Sequence, residues 1–330
     1  MDKTKPSMEQ IEQRFTAWAQ AQSDIRAAFV VGSRARTDHP ADEWSDLDII
    51  VITTKPQRYL TSSDWLKNIG DYWLTFLEPT PTGSGVERRV LFEGARDVDF
   101  AVFPHDRFRQ AARFLPLLSR FPLLFRLLPK GMAQRIRQDV ADAANVFGRG
   151  VRVLVDKEGL AAKLPQVLAE APPYRPPTQR EFLNAANDFW YHAVLTAKKL
   201  RRGELWWAKD CLDGYMKRLL LRMVEWQARA TKGPDYDTWQ LGRFLEEWAA
   251  PRALAGLRDA FAHYDEDDIW RALLASMDLF HWLATETAER LGYPYPTAAD
   301  ERVTEWVKEC LSERDTREGN SQDSSAASPI

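Results

Sequence analysis

The sequence predicts an α+β chain: a mixed β-sheet with flanking helices, followed by a bundle of helices. Three observations predict it. Short apolar runs are bordered by acidic residues or glycine in the first third of the chain, as in Ala28-Phe29-Val30-Val31-Gly32 and Asp46-Leu47-Asp48-Ile49-Ile50-Val51-Ile52. From Gln179 onward the apolar residues recur at helical spacing. Between the two regimes lies APPYRPPT (Ala171–Thr178), whose four prolines cannot sit inside a helix.

The elements follow in order. Ser7 to Gln22 carries Met8, Ile11, Phe15, Trp18 and Ala19 on one helical face. Ile25–Val31 and Leu47–Thr54 read as strands, with Tyr72–Leu77, Arg89–Phe92 and Asp97–Phe103 as further short ones and Thr80–Gly85 as a turn. After Pro104 the pattern turns helical, and Gly150–Asp156 is one more short strand. Thr178 with Glu181 forms a capping-box signature that opens a helix. Glu204–Ala230 reads as one long helix with Leu205, Ala208, Leu212, Tyr215, Leu219, Met223 and Trp226 on its buried face. Helices are expected around Trp239–Ala249, Arg252–Phe261, Ile269–Leu291 and Asp300–Leu311. This divides the chain into a first domain (1–170) with an apolar helical insertion at about 107–150, a linker (171–178), a helical domain (179–311) and a Ser-rich, charged tail (312–330) expected to be disordered.

Composition narrows the function. The chain has 330 residues, 45% hydrophobic and 28% charged, with a formal net charge of −3, so no broad basic surface for nucleic acid is expected. Cys211 and Cys310 have neither metal spacing nor a disulfide framework, and the five histidines show no zinc-ligand spacing. The polar Met1–Gln10 lacks the apolar core of a signal peptide, and Phe114–Pro129 is too short and too interrupted by arginine and proline to span a membrane. A cytoplasmic location is expected, as a monomer or homodimer.

The chemistry is carried by carboxylates. On a strand, Asp46 and Asp48 point the same way, beside the Gly32-Ser33-Arg34 turn. Hard oxygen ligands on one face suit Mg²⁺ carrying a nucleoside triphosphate, so nucleotidyl transfer is expected. Gly32 lets the backbone approach a phosphate, Ser33 offers its hydroxyl and N–H, and Arg34 adds a guanidinium, for which an acidic neighbour is the alternative partner. A third metal carboxylate is expected from Asp97-Val98-Asp99-Phe100. Asp99 is favoured over Asp97 because it sits deeper in the apolar run.

GSRA (Gly32–Ala35), SDLDI (Ser45–Ile49) and DVDF (Asp97–Phe100), in this order, resemble the nucleotidyltransferase superfamily that includes DNA polymerase beta. The resemblance is closer to the aminoglycoside 6-adenylyltransferases, the streptomycin-modifying resistance enzymes. It continues through Val153–Gly159, Glu181–Trp190, Arg202–Asp213, Leu220–Trp226, Ile269–Phe280 and Leu291–Pro296, and so spans roughly residues 8 to 310. It implies a polymerase-beta-like catalytic domain, an acceptor-binding helical domain, and transfer of AMP from ATP to an antibiotic hydroxyl with pyrophosphate released. It matches Asp46, Asp48 and Asp99 to the metal carboxylates and Gly32 and Ser33 to the phosphate turn. It makes Asp188 the candidate general base, with Asp99 as rival. The 107–150 segment looks longer than the family's usual connection.

Other candidates have plainer explanations beside the functional one. Lys209 is a candidate for the triphosphate, and Glu204 and Asp213 for a cationic acceptor, but Lys209 and Asp213 also make an ordinary i,i+4 pair. Trp190 is a candidate for stacking on substrate and equally a core residue. Two alternatives stand beside the leading expectation. One is the same chemistry on a protein, nucleotide or RNA acceptor. The other is a non-catalytic, antitoxin-like module, suggested by Arg258 and His263 at the spacing of helical ribonucleases.

Overall fold

The computed structural model describes residues 5–80, 85–110, 129, 131, 146–164 and 174–326. The chain divides into two compact units, Met1–Pro173 and Tyr174–Ile330. The expected insertion at 107–150 lies for the most part outside the described residues.

Unit 1 is built on a six-stranded mixed sheet. Its strands are β1 (Ile25–Val31), β2 (Leu47–Thr53), β3 (Tyr72–Pro79), β4 (Val86–Phe92), β5 (Arg96–Pro104) and β6 (Arg152–Asp156), in the spatial order β3-β4-β5-β2-β1-β6. Only β2 and β5 run parallel; the other neighbours are antiparallel. Strand periodicity sends alternate residues to opposite faces. Ala28, Val30, Leu47, Ile49, Val51, Val98, Phe100 and Val102 pack under Ile11, Phe15 and Ala19 of α1 (Met8–Ala21). Helix α1 starts at a capping box in which Ser7 and Gln10 satisfy each other's backbone N–H. The opposite face collects Ala27, Phe29, Val31, Ile50 and Ile52 with Leu160 and Leu164. A short helix not foreseen from the sequence, α2 (Pro56–Thr61), follows β2. Its Tyr59 donates to the buried Asp24 at 2.7 Å.

Unit 2 is helical: α3 (Gln179–Arg201), α4 (Leu205–Asp210), α5 (Lys217–Lys232), α6 (Leu245–Trp248), α7 (Pro251–Ala260), α8 (Glu266–Leu291) and α9 (Thr297–Ala326). The α3 capping box of Thr178 and Glu181 forms, with Thr178 N–H donating to Glu181 at 2.7 Å and Glu181 N–H donating back at 3.2 Å. The core joins Phe182, Phe189, Ala193 and Ala197 of α3 to Leu220, Met223 and Val224 of α5 and Leu273, Phe280 and Leu283 of α8.

Two sequence expectations differ from the structure. The single helix expected over Glu204–Ala230 is broken: a π-helical turn, Cys211–Met216, stands between α4 and α5. The helix expected over Trp239–Ala249 is reduced to α6 and a 3₁₀ turn, because Trp239, Leu241 and Phe244 all take positive φ. Helix α9 spans Thr297–Ala326. Glu313 and Arg314 are good helix formers, and Arg314 pairs with Asp267 at 2.6 Å. Among the described residues no helix is long and apolar enough to cross a membrane.

Candidate active site

The parallel pairing of β2 and β5 sets Asp48 directly opposite Asp99, and the antiparallel pairing of β1 and β2 sets Val31 opposite Asp48. Asp46 shares the face of Asp48 two residues earlier. One carboxylate oxygen from each of Asp46, Asp48 and Asp99 lies within 4.8 Å of the others, the one such group among the described residues. Asp46 immediately precedes β2, Asp48 is its second residue and Asp99 lies within β5, and Asp48 and Asp99 share the face that further along the strands carries Ile50 and Phe103. Asp97 is also on this face but is exposed and outside the group.

Gly32 ends β1 at φ +68°, and a Cβ there would sit 2.1 Å from Asp48 Oδ2. Only a glycine lets the turn approach that carboxylate. Ser33 follows with its Oγ shielded from solvent and without a hydrogen-bond partner among the described residues. Arg34 faces away from an anion role. Its guanidinium donates to the carbonyl oxygens of Asp46 (3.0 Å) and Ser45 (3.1 Å), clamping the loop that delivers Asp46. The expectation that Arg34 binds nucleotide is therefore corrected: its donors already serve the backbone and, through Nη1 at 3.5 Å, the carboxylate of Glu9.

The electrostatics suit a cation. Burial, and the charges of Glu87, Asp46 and Asp97, push the Asp99 carboxyl up to about 7 against the opposing pull of Arg89. Arg89, opposite Asp99 on β4, lies 3.4 Å from it and also pairs with Glu78 (2.7 Å) and Glu87 (3.0 Å). One guanidinium is thus shared among three carboxylates, those of Glu78, Glu87 and Asp99. Clustered hard oxygens with an unsatisfied hydroxyl alongside fit a divalent cation and the phosphates it would carry.

Unit 2 holds the remaining sequence candidates. Asp188, on α3, is 35% exposed; it accepts from Tyr215 Oη at 2.9 Å and pairs with His192 Nδ1 at 2.8 Å. Lys209 forms an ion pair with Asp213, as its i,i+4 spacing allows. Asp213 also lies 3.4 Å from Lys217, whose ammonium is buried and donates to Ser276 Oγ at 2.9 Å. Burial pushes Lys217 down to about 8. Two lysines around one aspartate leave this group net positive, so Asp213 does not act as a lure for a cationic acceptor. Glu204 is likewise taken up, by Lys199 and by Arg202 at 2.5 Å. Trp190 is 2% exposed, packs edge-on against Phe189 and Phe280 and donates its indole N–H to Tyr295 at 3.2 Å. It is a core residue and is removed from the substrate contacts.

Three carboxylates converging from parallel strands beside a Gly-Ser turn are the equipment of a nucleotidyltransferase. The chain belongs to the streptomycin adenylyltransferase family, whose model matches residues 6–310. It is similar to an aminoglycoside 6-adenylyltransferase of Bacillus subtilis (strain 168), 24% identical over 292 residues, covering 86% of this chain and 90% of the relative. A second relative of that description, from Campylobacter jejuni, is 23% identical over 291 residues, with 88% and 91% covered. A crystal structure of an aminoglycoside 6-adenyltransferase from Bacillus subtilis aligns at 19% identity with a TM-score of 0.41, over 92% of this chain and 97% of that one. Membership makes the chain an enzyme, against the antitoxin-like alternative. His263, one half of the pair that suggested it, is bonded through Nδ1 to Asp268 at 2.9 Å.

Proposed function

We propose that the chain transfers AMP from ATP to a hydroxyl of an aminoglycoside such as streptomycin and releases pyrophosphate, with Mg²⁺ as the metal. The observation that carries this reading is the Asp46–Asp48–Asp99 group beside Gly32 and Ser33. The names of the relatives support the acceptor class. Asp46, Asp48 and Asp99 would hold the metal, which when bound neutralises the triphosphate and assists departure of pyrophosphate. Gly32 admits the phosphates to the turn, and Ser33 supplies the hydroxyl donor. Arg34 keeps Asp46 in place by holding the backbone on either side of it. Lys209, in a group with surplus positive charge, is retained for the nucleotide's tail. The acceptor side is assigned to unit 2, where Asp188 and the side chains bonded to it form the acid–base group. The proposed domain plan keeps the metal and phosphate-turn residues before 170 and acceptor recognition, with the acid–base group, after 179.

The test is pyrophosphate release by the purified full chain with ATP and Mg²⁺ against a panel of aminoglycosides. Release that depends on an aminoglycoside, with the product heavier by one adenylyl group, is expected. Release that depends instead on protein, nucleotide or RNA would replace the acceptor. No release with any acceptor would overturn the reading.

A further inference from the structure

We propose that the atom taking the acceptor's proton is Nε2 of His192, with Asp188 as its positioning residue; this rests on the adenylyl-transfer reading above. Asp188 and His192 stand one turn apart on α3. His192 Nδ1 lies 2.8 Å from Asp188 Oδ1 and 2.9 Å from the Asp188 carbonyl oxygen. A carboxylate and a backbone carbonyl only accept, so Nδ1 must carry the hydrogen. The neutral ring then keeps its lone pair on Nε2. No hydrogen bond of Nε2 occurs among the described residues.

Tyr215 completes the arrangement. It is presented by the π-helical turn and donates its hydroxyl to Asp188 Oδ2 at 2.9 Å. That bond raises the pKa of the phenol, which keeps it a donor. Its ring lies 4.2 Å from the imidazole, tilted by 34°, and limits the ring's rotation. Single-turn π bulges recur at functional sites because they re-aim the side chains they carry. Both oxygens of Asp188 are thus engaged as acceptors, which suits a fixed charge that orients a base. Arg218 and Arg222 act on the Tyr215 hydroxyl, Arg218 standing 5.6 Å from the centre of its ring, and Asp210 and Asp188 both act on the neighbouring Cys211.

The step balances as follows. The acceptor O–H bond breaks and its proton goes to Nε2. The acceptor oxygen bonds to the α-phosphorus of ATP. The bond from that phosphorus to the bridging oxygen of the β-phosphate breaks, and its electron pair leaves with pyrophosphate. The imidazolium that results faces the negative charge of Asp188.

The experiment is steady-state kinetics of the full chain with ATP, Mg²⁺ and the aminoglycoside it turns over, for His192→Ala, His192→Gln, Asp188→Asn and Tyr215→Phe, with and without added imidazole. For both His192 variants, kcat is expected to fall by about 10²–10⁴-fold with little change in acceptor KM, the range for loss of a general base. Imidazole restores part of the kcat of His192→Ala in proportion to its concentration and does nothing for Asp188→Asn. A His192→Gln variant with near-parental kcat overturns the proposal. So does an inactive Asp188→Asn beside an active His192→Ala, or a folded His192→Ala that imidazole does not rescue. A parent chain without acceptor-dependent pyrophosphate release overturns the adenylyl-transfer reading and this inference with it. Any of the other adverse results, in a parent that turns over, overturns this inference alone.

Discussion

Gly32→Ala is the sharpest single perturbation of the candidate site, because one methyl group carries two separable costs. The first is conformational: at φ +68° an alanine pays the left-handed penalty, roughly 1–2 kcal/mol. For a unit of this size that lowers the melting temperature by about 2–8 °C. The second is local. The new Cβ would stand 2.1 Å from Asp48 Oδ2, and contacts under 3.0 Å essentially never occur. The carboxylate must retreat by about 1 Å, a displacement that can cost on the order of 10²-fold in rate. Gly159→Ala separates the two costs: Gly159 has φ +65° and nothing within 4 Å of its Cβ position. The assay pairs thermal melts with acceptor-dependent pyrophosphate release for both variants and for Asp48→Asn. Both glycine variants should lose similar stability, and only Gly32→Ala should lose turnover. Adding Asp48→Asn to Gly32→Ala should do little further harm, since both act through one carboxylate. Parental turnover in Gly32→Ala, or an equal loss of turnover in Gly159→Ala, would refute the reasoning.

Further predictions concern charge and helix ends. Asp99 has an ordinary value of 3.8 unfolded and about 7 folded, so between these pH values the folded state binds more protons and stability falls as pH rises. Without metal, Asp99→Asn should therefore melt close to the parent near pH 4 and increasingly above it up to pH 7; a constant difference across that range contradicts the assignment. Asp213→Asn strands the buried Lys217 charge and should cost about 3–5 kcal/mol, and adding Lys217→Met should recover much of it in denaturant titrations. Strict additivity of the two changes would show that Asp213 and Lys217 are not coupled. Thr178→Ala removes the α3 capping box and should cost about 1 kcal/mol, read as a lower melting temperature at unchanged acceptor KM.

The strand-borne part of the site was legible in the sequence because strand periodicity is two and short. Asp46, Asp48 and Asp99 each sit next to an apolar run whose alternation fixes which way they point, and the parallel register of β2 and β5 does the rest. The helix-borne part was not. Reading one uninterrupted helix through Glu204–Ala230 puts Tyr215 on the buried face and gives Lys217 no place there. The π turn at Cys211–Met216 shifts the phase, so Tyr215 is 36% exposed and Lys217 only 8%. No local residue pattern announces such a turn. The i,i+4 spacing of Asp213 and Lys217 was the one available signal for the buried pair. Arg34 misled for a different reason: an arginine after Gly-Ser suggests phosphate, but the carbonyl oxygens of Ser45 and Asp46 come back to it only in the folded loop. Trp190 was undecidable from spacing, since stacking on substrate and packing in a core ask for the same residue.

The most direct measurement is Mn²⁺ binding, followed by electron paramagnetic resonance, to the full chain in the presence of a non-hydrolysable ATP analogue. Manganese stands in for magnesium here and shares its preference for carboxylate and phosphate oxygens. The parent chain should bind the ion, and Asp46→Asn, Asp48→Asn and Asp99→Asn should each weaken binding by about tenfold or more while remaining folded. Equal affinity in the parent and all three variants would show that these carboxylates do not hold the metal–nucleotide complex, and would contradict the account at its base.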